Sequence, residues 1–433
     1  MFGDNPVTSG YKDMRTDNMK RNGKNKEFQS LLRGTCVAAE SNKREITGLG
    51  TGTIGKPTKP ADKDTAWAGN YVWYGNYKGS PMRYRVLDPH STKYGGDAML
   101  LDCDNVLYTA EFYDYVNSHE NALFSNEWAY SDVKKGLNEG YDGFLTCSFT
   151  DPERAAIADS TVGTHRIKVG SPLNKYFPKY TRLNHDKIFL LDFEDVLNTD
   201  YGYSSDCGFG VDWNQHNVDN RKKSGSESGW WLRSPNSHIG DHPGDYAEDY
   251  VGGWAGSVDD RGIVHDDSDV RSPSIGVSPA FNVNLSSVIF SSLITSGSGE
   301  YKLTLKDEEL GIQVTEGENV TRSGNTVTVP YTIGKTSKGD NSDNATQVSV
   351  LLLDHAYIPG ENVFDSTKFN YQKLKVNSFS KEGTGTFNLP AAYADKVCGV
   401  DYYAYILAED VNDTYETDYA SEPVAITIGK IPV

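Results

Sequence analysis

Trp230-Trp231-Leu232-Arg233-Ser234-Pro235 and Gly276-Val277-Ser278-Pro279-Ala280-Phe281-Asn282-Val283 are the two stretches on which the reading of this chain turns. The first has the aromatic and branched content of a β-strand, with successive side chains on opposite faces. That alternation predicts one tryptophan in the core and the other toward the loops. Arg233 is placed to fork onto a carboxylate or to bond backbone carbonyls. The second stretch closes the region as another strand. Between them runs an acidic, glycine-rich, aromatic segment.

The whole chain has the texture of that region. In 433 residues there are 42 Gly, 17 Pro and 27 Tyr but only 5 Met, which favours short strands and ordered loops over long helices. The length suits two or three domains. The net charge of −18 repels phosphate backbones and anionic lipid, so nucleic acid is an unsuitable partner, and neutral sugars, basic proteins or divalent cations are suitable ones. Simple solubility accounts for the same charge. The five cysteines, Cys36, Cys103, Cys147, Cys207 and Cys398, form no C-x-x-C pair. They are expected as mostly buried small hydrophobes, and a bridge such as Cys103–Cys147 is a candidate that spacing does not settle. No apolar run is long enough to span a bilayer, and no secretory h-region follows Met1. The protein is therefore either cytosolic or read here without a removed leader.

Residues 1–66 are polar, with Gly48–Pro60 as turn and linker chemistry, and read as an arm or linker. From Trp67 the texture changes, and all seven tryptophans fall between Trp67 and Trp254. Tyr71–Gly75, Met82–Leu87, Ala98–Asp102 and Lys187–Leu191 read as strands. Ser131 or Asp132 caps a short helix, Thr150-Asp151-Pro152-Glu153 is a capping box, and Asp192 opens a third helix. Phe290–Gly299 reads as a linker. Beyond it, seven or eight strand-like runs recur: Tyr301–Leu305, Ile312–Val314, Thr326–Tyr331, Gln347–Leu353, Lys373–Phe379, Gly385–Leu389, Tyr402–Leu407 and Val424–Ile428. That is the pattern of an immunoglobulin-like sandwich.

The order of segments over about residues 68–292 resembles a family of domains of unknown function from surface proteins of Gram-positive gut bacteria. The motifs are Tyr71-Val72-Trp73-Tyr74-Gly75-Asn76-Tyr77, Tyr84-Arg85-Val86-Leu87, the helix Ser131–Asn138, Glu153-Arg154-Ala155-Ala156-Ile157, Asp186–Asp192 with Asp195-Val196, Trp230–Pro235, and Gly276–Ala280. The family's fold is similar to that of C-type lectins and formylglycine-generating enzymes. Two positions depart from its pattern: Gly136 stands where the family has Trp, and Ser278 where it has Arg. The resemblance implies that another cation, Arg233 or Arg271, takes over the bracing. It carries no catalytic residues.

The expected fold class is thus α+β: a C-type-lectin-like domain with short helices (67–292), followed by an all-β immunoglobulin-like sandwich (300–433). The candidate site lies in Asp241–Val270. Nine acids stand there, Asp241, Asp245, Glu248, Asp249, Asp259, Asp260, Asp266, Asp267 and Asp269, against the single base Arg261. Tyr250 and Trp254 beside Asp259, Asp260 and His265 would stack on a sugar and hydrogen-bond it. The same aromatics serve equally as loop packing. Asp266, Asp267 and Asp269 are the candidate ligands for Ca²⁺, an oxygen-seeking cation, although no EF-hand spacing is present. The plainer reading is a hairpin tip over Val258–Val264 turning at Asp260-Arg261-Gly262. His238, His242 and His265 lie in the same region, but Gly240 and Pro243 oppose the helix that would converge the first two on a metal.

No nucleophile elbow, phosphate loop or dinucleotide fingerprint is present. Cys207 has no cysteine near it in sequence, which disfavours formylglycine-type chemistry. The expected function is non-catalytic extracellular recognition, glycan or protein binding and adhesion at a bacterial cell surface. The alternatives are a hydrolase acting on glycans or a formylglycine-type oxidase relative, and a structural stalk or assembly domain.

Overall fold

A computed structural model of the chain describes residues 50–113, 126–140, 143–162, 167–168, 176–177, 182–208, 215–235, 253–361 and 363–429. The protein is strand-rich, with a few short helices.

Among the described residues the largest sheet has twelve strands and draws on both halves of the chain. Its centre is Tyr71–Tyr77, Ser80–Ser91 and Ala98–Cys103, antiparallel in turn, with Ala280–Asn284 and then Ile188–Phe189 beyond. On the other side Glu300–Lys306 runs parallel to Tyr71–Tyr77. Asp418–Ala420, Tyr403–Asp410, Gln347–Leu353 and Asn370–Lys373 follow. The segment expected as a linker is in part a strand: Val288–Leu293 pairs antiparallel with Glu300–Lys306. Its serines misled the reading. Ser291 and Ser292 are buried polar residues of the strand, whereas the Ser/Gly turn proper begins only after Leu293.

A five-stranded sheet runs Val264–Asp269, Trp254–Val258, Trp230–Pro235, Gly276–Val277, Tyr108–Thr109. The two framing stretches are adjacent in it, Trp230 lying opposite Gly276. A four-stranded sheet joins Leu310–Val314, Thr326–Lys335, Thr321–Ser323 and Glu382–Asn388. Between it and the outer strands of the large sheet lies an apolar core that includes Val327, Val329, Tyr331, Val348, Val350, Phe387 and Ile406. The expected run Lys373–Phe379 instead ends as a strand at Lys373.

Helix starts follow local chemistry. Ser131 accepts from the Lys134 amide at the head of Asp132–Asn138. Thr150 and Glu153 form the capping box of Asp151–Ala156, and Asp192 and Asp195 form that of Phe193–Val196. Glu153 also reaches outside its helix. Its Oε1 accepts from the Gly75 amide (3.0 Å) and from Thr417 Oγ1 (2.6 Å), stitching both halves of the chain together. The hydroxyls of Thr150 and Tyr419 meet at 2.7 Å nearby.

Both Trp230 and Trp231 are fully buried, so neither faces the loops. Trp231 Nε1 donates to the Ala110 carbonyl (2.7 Å), and Trp230 lies under the Lys223 ammonium, 4.0 Å from ring centre. Arg233 does both things expected of it. It pairs with Asp192 and Asp195, and it donates to the Leu190 carbonyl at 2.5 Å. It is Lys223, however, that reaches Ser278. Its Nζ lies 2.8 Å from Ser278 Oγ and 2.7 Å from both oxygens of Asp102. Arg271 is on the surface, paired with Asp269.

The part of residues 1–66 that is described packs on the body. Ile54 N donates to the Phe364 carbonyl (2.7 Å), and Gly52 N to Ser366 Oγ (2.9 Å). Residues 1–49 lie outside the described residues. Cys103 and Cys207 are buried free thiols, whereas Cys147 is disulfide-bonded, so Cys103 and Cys147 do not pair.

Candidate functional site

The strands Trp254–Val258 and Val264–Asp269 form the hairpin of the plainer reading, with its tip over Val258–Val264. Val258 pairs with Val264, the Gly262 amide returns to the Asp259 carbonyl (3.0 Å), and Gly262 has φ +81°, a left-handed turn conformation. Asp259 is consumed in building that tip. Its Oδ1 accepts from the amides of Arg261 and Ile263 (2.9 Å each), and its Oδ2 faces His265 Nε2 (3.2 Å) and the Arg261 guanidinium (3.1 Å). Burial would raise its pKa, but the hydrogen bonds from His265 and the Ile263 amide hold the carboxyl below the usual range. Asp260 is exposed at the tip.

Of the described candidate residues, Asp259 and His265 meet at the tip and Trp254 stands apart from them. Trp254 pairs with Asp269 at the far end of the hairpin, five residues from Asp259, or roughly 16 Å along a strand. Along Val264–Asp269 the side chains alternate. Asp266 is buried on one face, and His265, exposed Asp267 and Asp269 lie on the other. Asp269 is engaged by the Arg271 side chain (2.6 and 2.9 Å), whose hydrogen bonds hold its pKa down. Among the described residues no three His, Cys, Asp or Glu converge as a metal site. Tyr250, Asp241, Asp245, Glu248, Asp249, His238 and His242 lie outside the described residues.

A different surface is assembled on the large sheet. Tyr71 and Trp73 lie on one face of their strand, opposite Arg85 and Arg83 on the next and Glu300 and Lys302 on the other side. The Arg83 guanidinium lies 4.4 Å from the Tyr71 ring centre and bridges Asp104 (2.5 Å) and Glu300 (2.8 Å). Glu300 accepts from Trp73 Nε1 at 3.1 Å. Tyr415 packs on Trp73 with ring centroids 4.5 Å apart and keeps 44% of its surface exposed.

Buried electrostatics hold Tyr415 there. Lys302 Nζ lies 2.7 Å from Asp418 Oδ1 and donates to the carbonyls of Asp413 (2.8 Å) and Asn412 (3.3 Å). Asn412 in turn donates from its amide to Asp418 Oδ1 and from Nδ2 to the Thr417 carbonyl, both 2.8 Å. The 412–417 loop is thereby tied down on both sides of Tyr415. At the other end of the surface, the guanidinium groups of Arg85 and Arg83 overcome burial and hold Asp104 below the usual carboxylate range. The result is a half-exposed aromatic strip carrying an ordered cation and two ordered carboxylates. It can stack on a ring and hydrogen-bond its rim, but it holds no nucleophile–base pair. The Cys103 thiol is buried and pushed up to about 12, the wrong direction for a reactive cysteine. The sequence reading placed Trp73 in the Tyr71–Gly75 strand without assigning it a face. The signal available was its strand's period of two, which sends Val72 and Tyr74 inward and Tyr71 and Trp73 to the other face.

Residues 96–285 match the family described as a domain of unknown function, DUF6273. No curated protein matches. Among solved structures, the crystal structure of Ruminococcus gnavus beta-glucuronidase is similar at 14% identity over 38% of this chain and 29% of that one, with a TM-score of 0.13. The same enzyme in complex with uronic isofagomine is similar at 13% identity over 39% and 28%, again with a TM-score of 0.13. This chain spans under a third of the length of those proteins.

Proposed function

We propose that the protein is a non-catalytic recognition module of an extracellular or cell-surface protein, and that it binds a glycan on the Tyr71–Trp73–Tyr415 surface. In this reading the first half is C-type-lectin-like and the last third an immunoglobulin-like sandwich. The observation that carries it is the Trp73–Tyr415 stack, half-exposed and flanked by Arg83 and Glu300. Amphipathic rings with polar groups at their edges suit the apolar face and hydroxyl rim of a sugar. The two β-layers around the C-terminal core support the sandwich.

The test is a glycan-binding screen of the full chain, run with calcium and then with chelator, and repeated on Tyr415→Ala. Binding that falls at least about tenfold in Tyr415→Ala, the loss of roughly 1.4 kcal/mol, supports the reading. Absence of binding in both conditions, with measured turnover of a polysaccharide, overturns it in favour of a hydrolase. Binding that appears only with calcium would assign Asp266, Asp267 and Asp269 the cation.

A further inference from the structure

Lys302 and Asp418 meet on neighbouring parallel strands of the large sheet. Asp418 lies opposite Thr304, two residues along from Lys302, so both side chains leave the same face. They are 1% and 2% exposed, and Lys302 Nζ stands 2.7 Å from Asp418 Oδ1. That contact places the Asp418 carboxyl carbon roughly 3.5 Å from Nζ, the separation of a near-attack pair. Both groups are held in place. Nζ also donates to the carbonyls of Asp413 (2.8 Å) and Asn412 (3.3 Å), and Oδ1 accepts from the Asn412 amide (2.8 Å). A second buried carboxyl shares the face: Glu409 lies opposite Ala420, two residues from Asp418.

Burial changes what such a contact can do. Two charges taken out of water lose hydration that their mutual attraction only partly restores. Passing one proton from the ammonium to the carboxylate removes both charges and leaves an amine against a carboxyl. In water such a pair does not condense, because the partners drift apart and solvent competes. Here solvent is excluded and the partners are fixed, and effective molarities of well-oriented groups reach about 10⁵–10⁸ M. Glu409 adds a reason. The Asp418 charge contributes to the rise in its carboxyl, so the two acids repel across one buried face, and a neutral group at Asp418 relieves that repulsion. The other fully buried pair, Lys223 with Asp102, is set differently. Lys223 Nζ lies 2.7 Å from both oxygens, so it meets that carboxylate edge-on, away from its carbon, and the face of the Trp230 ring favours its positive charge.

We propose that Lys302 and Asp418 condense into an intramolecular isopeptide bond. Nζ first gives one proton to Asp418, on Oδ2, and then attacks Cγ with its lone pair. Negative charge that develops on Oδ1 is met by the Asn412 amide already bonded to it. The new N–C bond stays, the bond from Cγ to Oδ2 breaks, and Oδ2 departs as water with the first proton and a second one from Nζ. One ammonium and one carboxylate thus become one amide and one water, with no oxidant, reductant or co-reactant. The amide keeps a single N–H, for which the Asp413 carbonyl is an acceptor. The bond ties Glu300–Lys306, the strand beside Tyr71–Tyr77, to Asp418–Ala420 and closes the base of the 412–417 loop. It resists forces that pull the two halves of the sheet apart. The proposal does not rest on glycan binding at Trp73 and Tyr415 and stands or fails without it.

The test is mass spectrometry of the full chain, denatured and with disulfides reduced, on freshly purified protein and again after prolonged incubation. The intact chain is expected to be lighter than its sequence by the mass of one water. Trypsin does not cut after an acylated lysine, so the digest should contain residues 272–306, uncut after Lys302, joined to residues 397–430. Fragmentation of that branched peptide should place the link between Lys302 and Asp418. Lys302→Arg keeps a cation against Asp418 but forms no such amide, and Asp418→Ala removes the acceptor. Each should have the full mass of its own sequence and give the peptides unlinked. Because the reading is made on unfolded chains, the wild-type result decides the matter even if a variant folds poorly. A wild-type mass equal to the sequence in both samples, with the two peptides recovered separately, overturns the proposal and leaves an ion pair. A water lost elsewhere, with Lys302 cleaved normally, overturns it as well, as does the same loss in both variants.

Discussion

Replacing Glu409 by glutamine should make the protein more stable at alkaline pH and leave it nearly unchanged in acid. Glu409 lies in the Tyr403–Asp410 strand, 2% exposed, with its Oε2 accepting from Gln347 Nε2 (2.8 Å) and Tyr371 OH (2.7 Å). Burial pushes its carboxyl up to about 7, over the opposing effect of those hydrogen bonds and with a further rise from the charge of Asp418. The ordinary value is 4.5, so the folded state holds this proton more tightly than the unfolded chain does. Between pH 4.5 and 7 the folded protein therefore binds more protons, and stability falls as pH rises. Above pH 7 the full penalty is present, about 3 kcal/mol for a displacement of this size. Glutamine is uncharged throughout and offers an acceptor oxygen to the same two donors. Urea unfolding of both proteins at pH 4.5, 6 and 8 gives the difference directly. The glutamine variant should gain up to about 3 kcal/mol at pH 8 and within about 0.5 kcal/mol of nothing at pH 4.5. The difference matters more than either curve, because burial also pushes Glu127 up to about 7, where it titrates in the same window. A difference that does not change with pH would refute the argument.

Lys223→Met should cost about 3–5 kcal/mol in denaturant unfolding, because it leaves the fully buried Asp102 carboxylate without its ammonium. Thr150→Ala should cost about 1 kcal/mol by the same measurement, from loss of the capping hydroxyl, with no change in ligand binding. Lys302→Met should destabilise the protein and also weaken any ligand held on Tyr415, since the 412–417 loop loses its buried tether. Asp259→Ala should loosen the hairpin tip and be seen as faster amide exchange at Ile263, whose N–H it accepts. Calcium should leave the melting temperature unchanged. A calcium-dependent rise would mean that Asp266, Asp267 and Asp269 are drawn together by the ion.

Features built within a few residues of one another were legible in the sequence. The Thr150–Glu153 capping box, the caps at Ser131 and Asp192, and the Asp259–Gly262 turn all appear where side chain and backbone signals lie three or four positions apart. Gln347–Leu353 was readable from its run of branched apolar residues, and the Arg233 fork because an arginine in a buried strand must find acceptors. The strand-rich α+β class followed from composition and period. Tertiary structure alone decided the rest. Trp73 and Tyr415 come from opposite ends of the chain, and what joins them is a parallel strand pair and a buried Lys302–Asp418 contact. Lys223 reaches Ser278 and Asp102 across three segments. Local hydrogen bonds are written in local sequence. Which distant carboxylate, ring or amide a side chain meets is set by strand order and register, to which no short motif is tied.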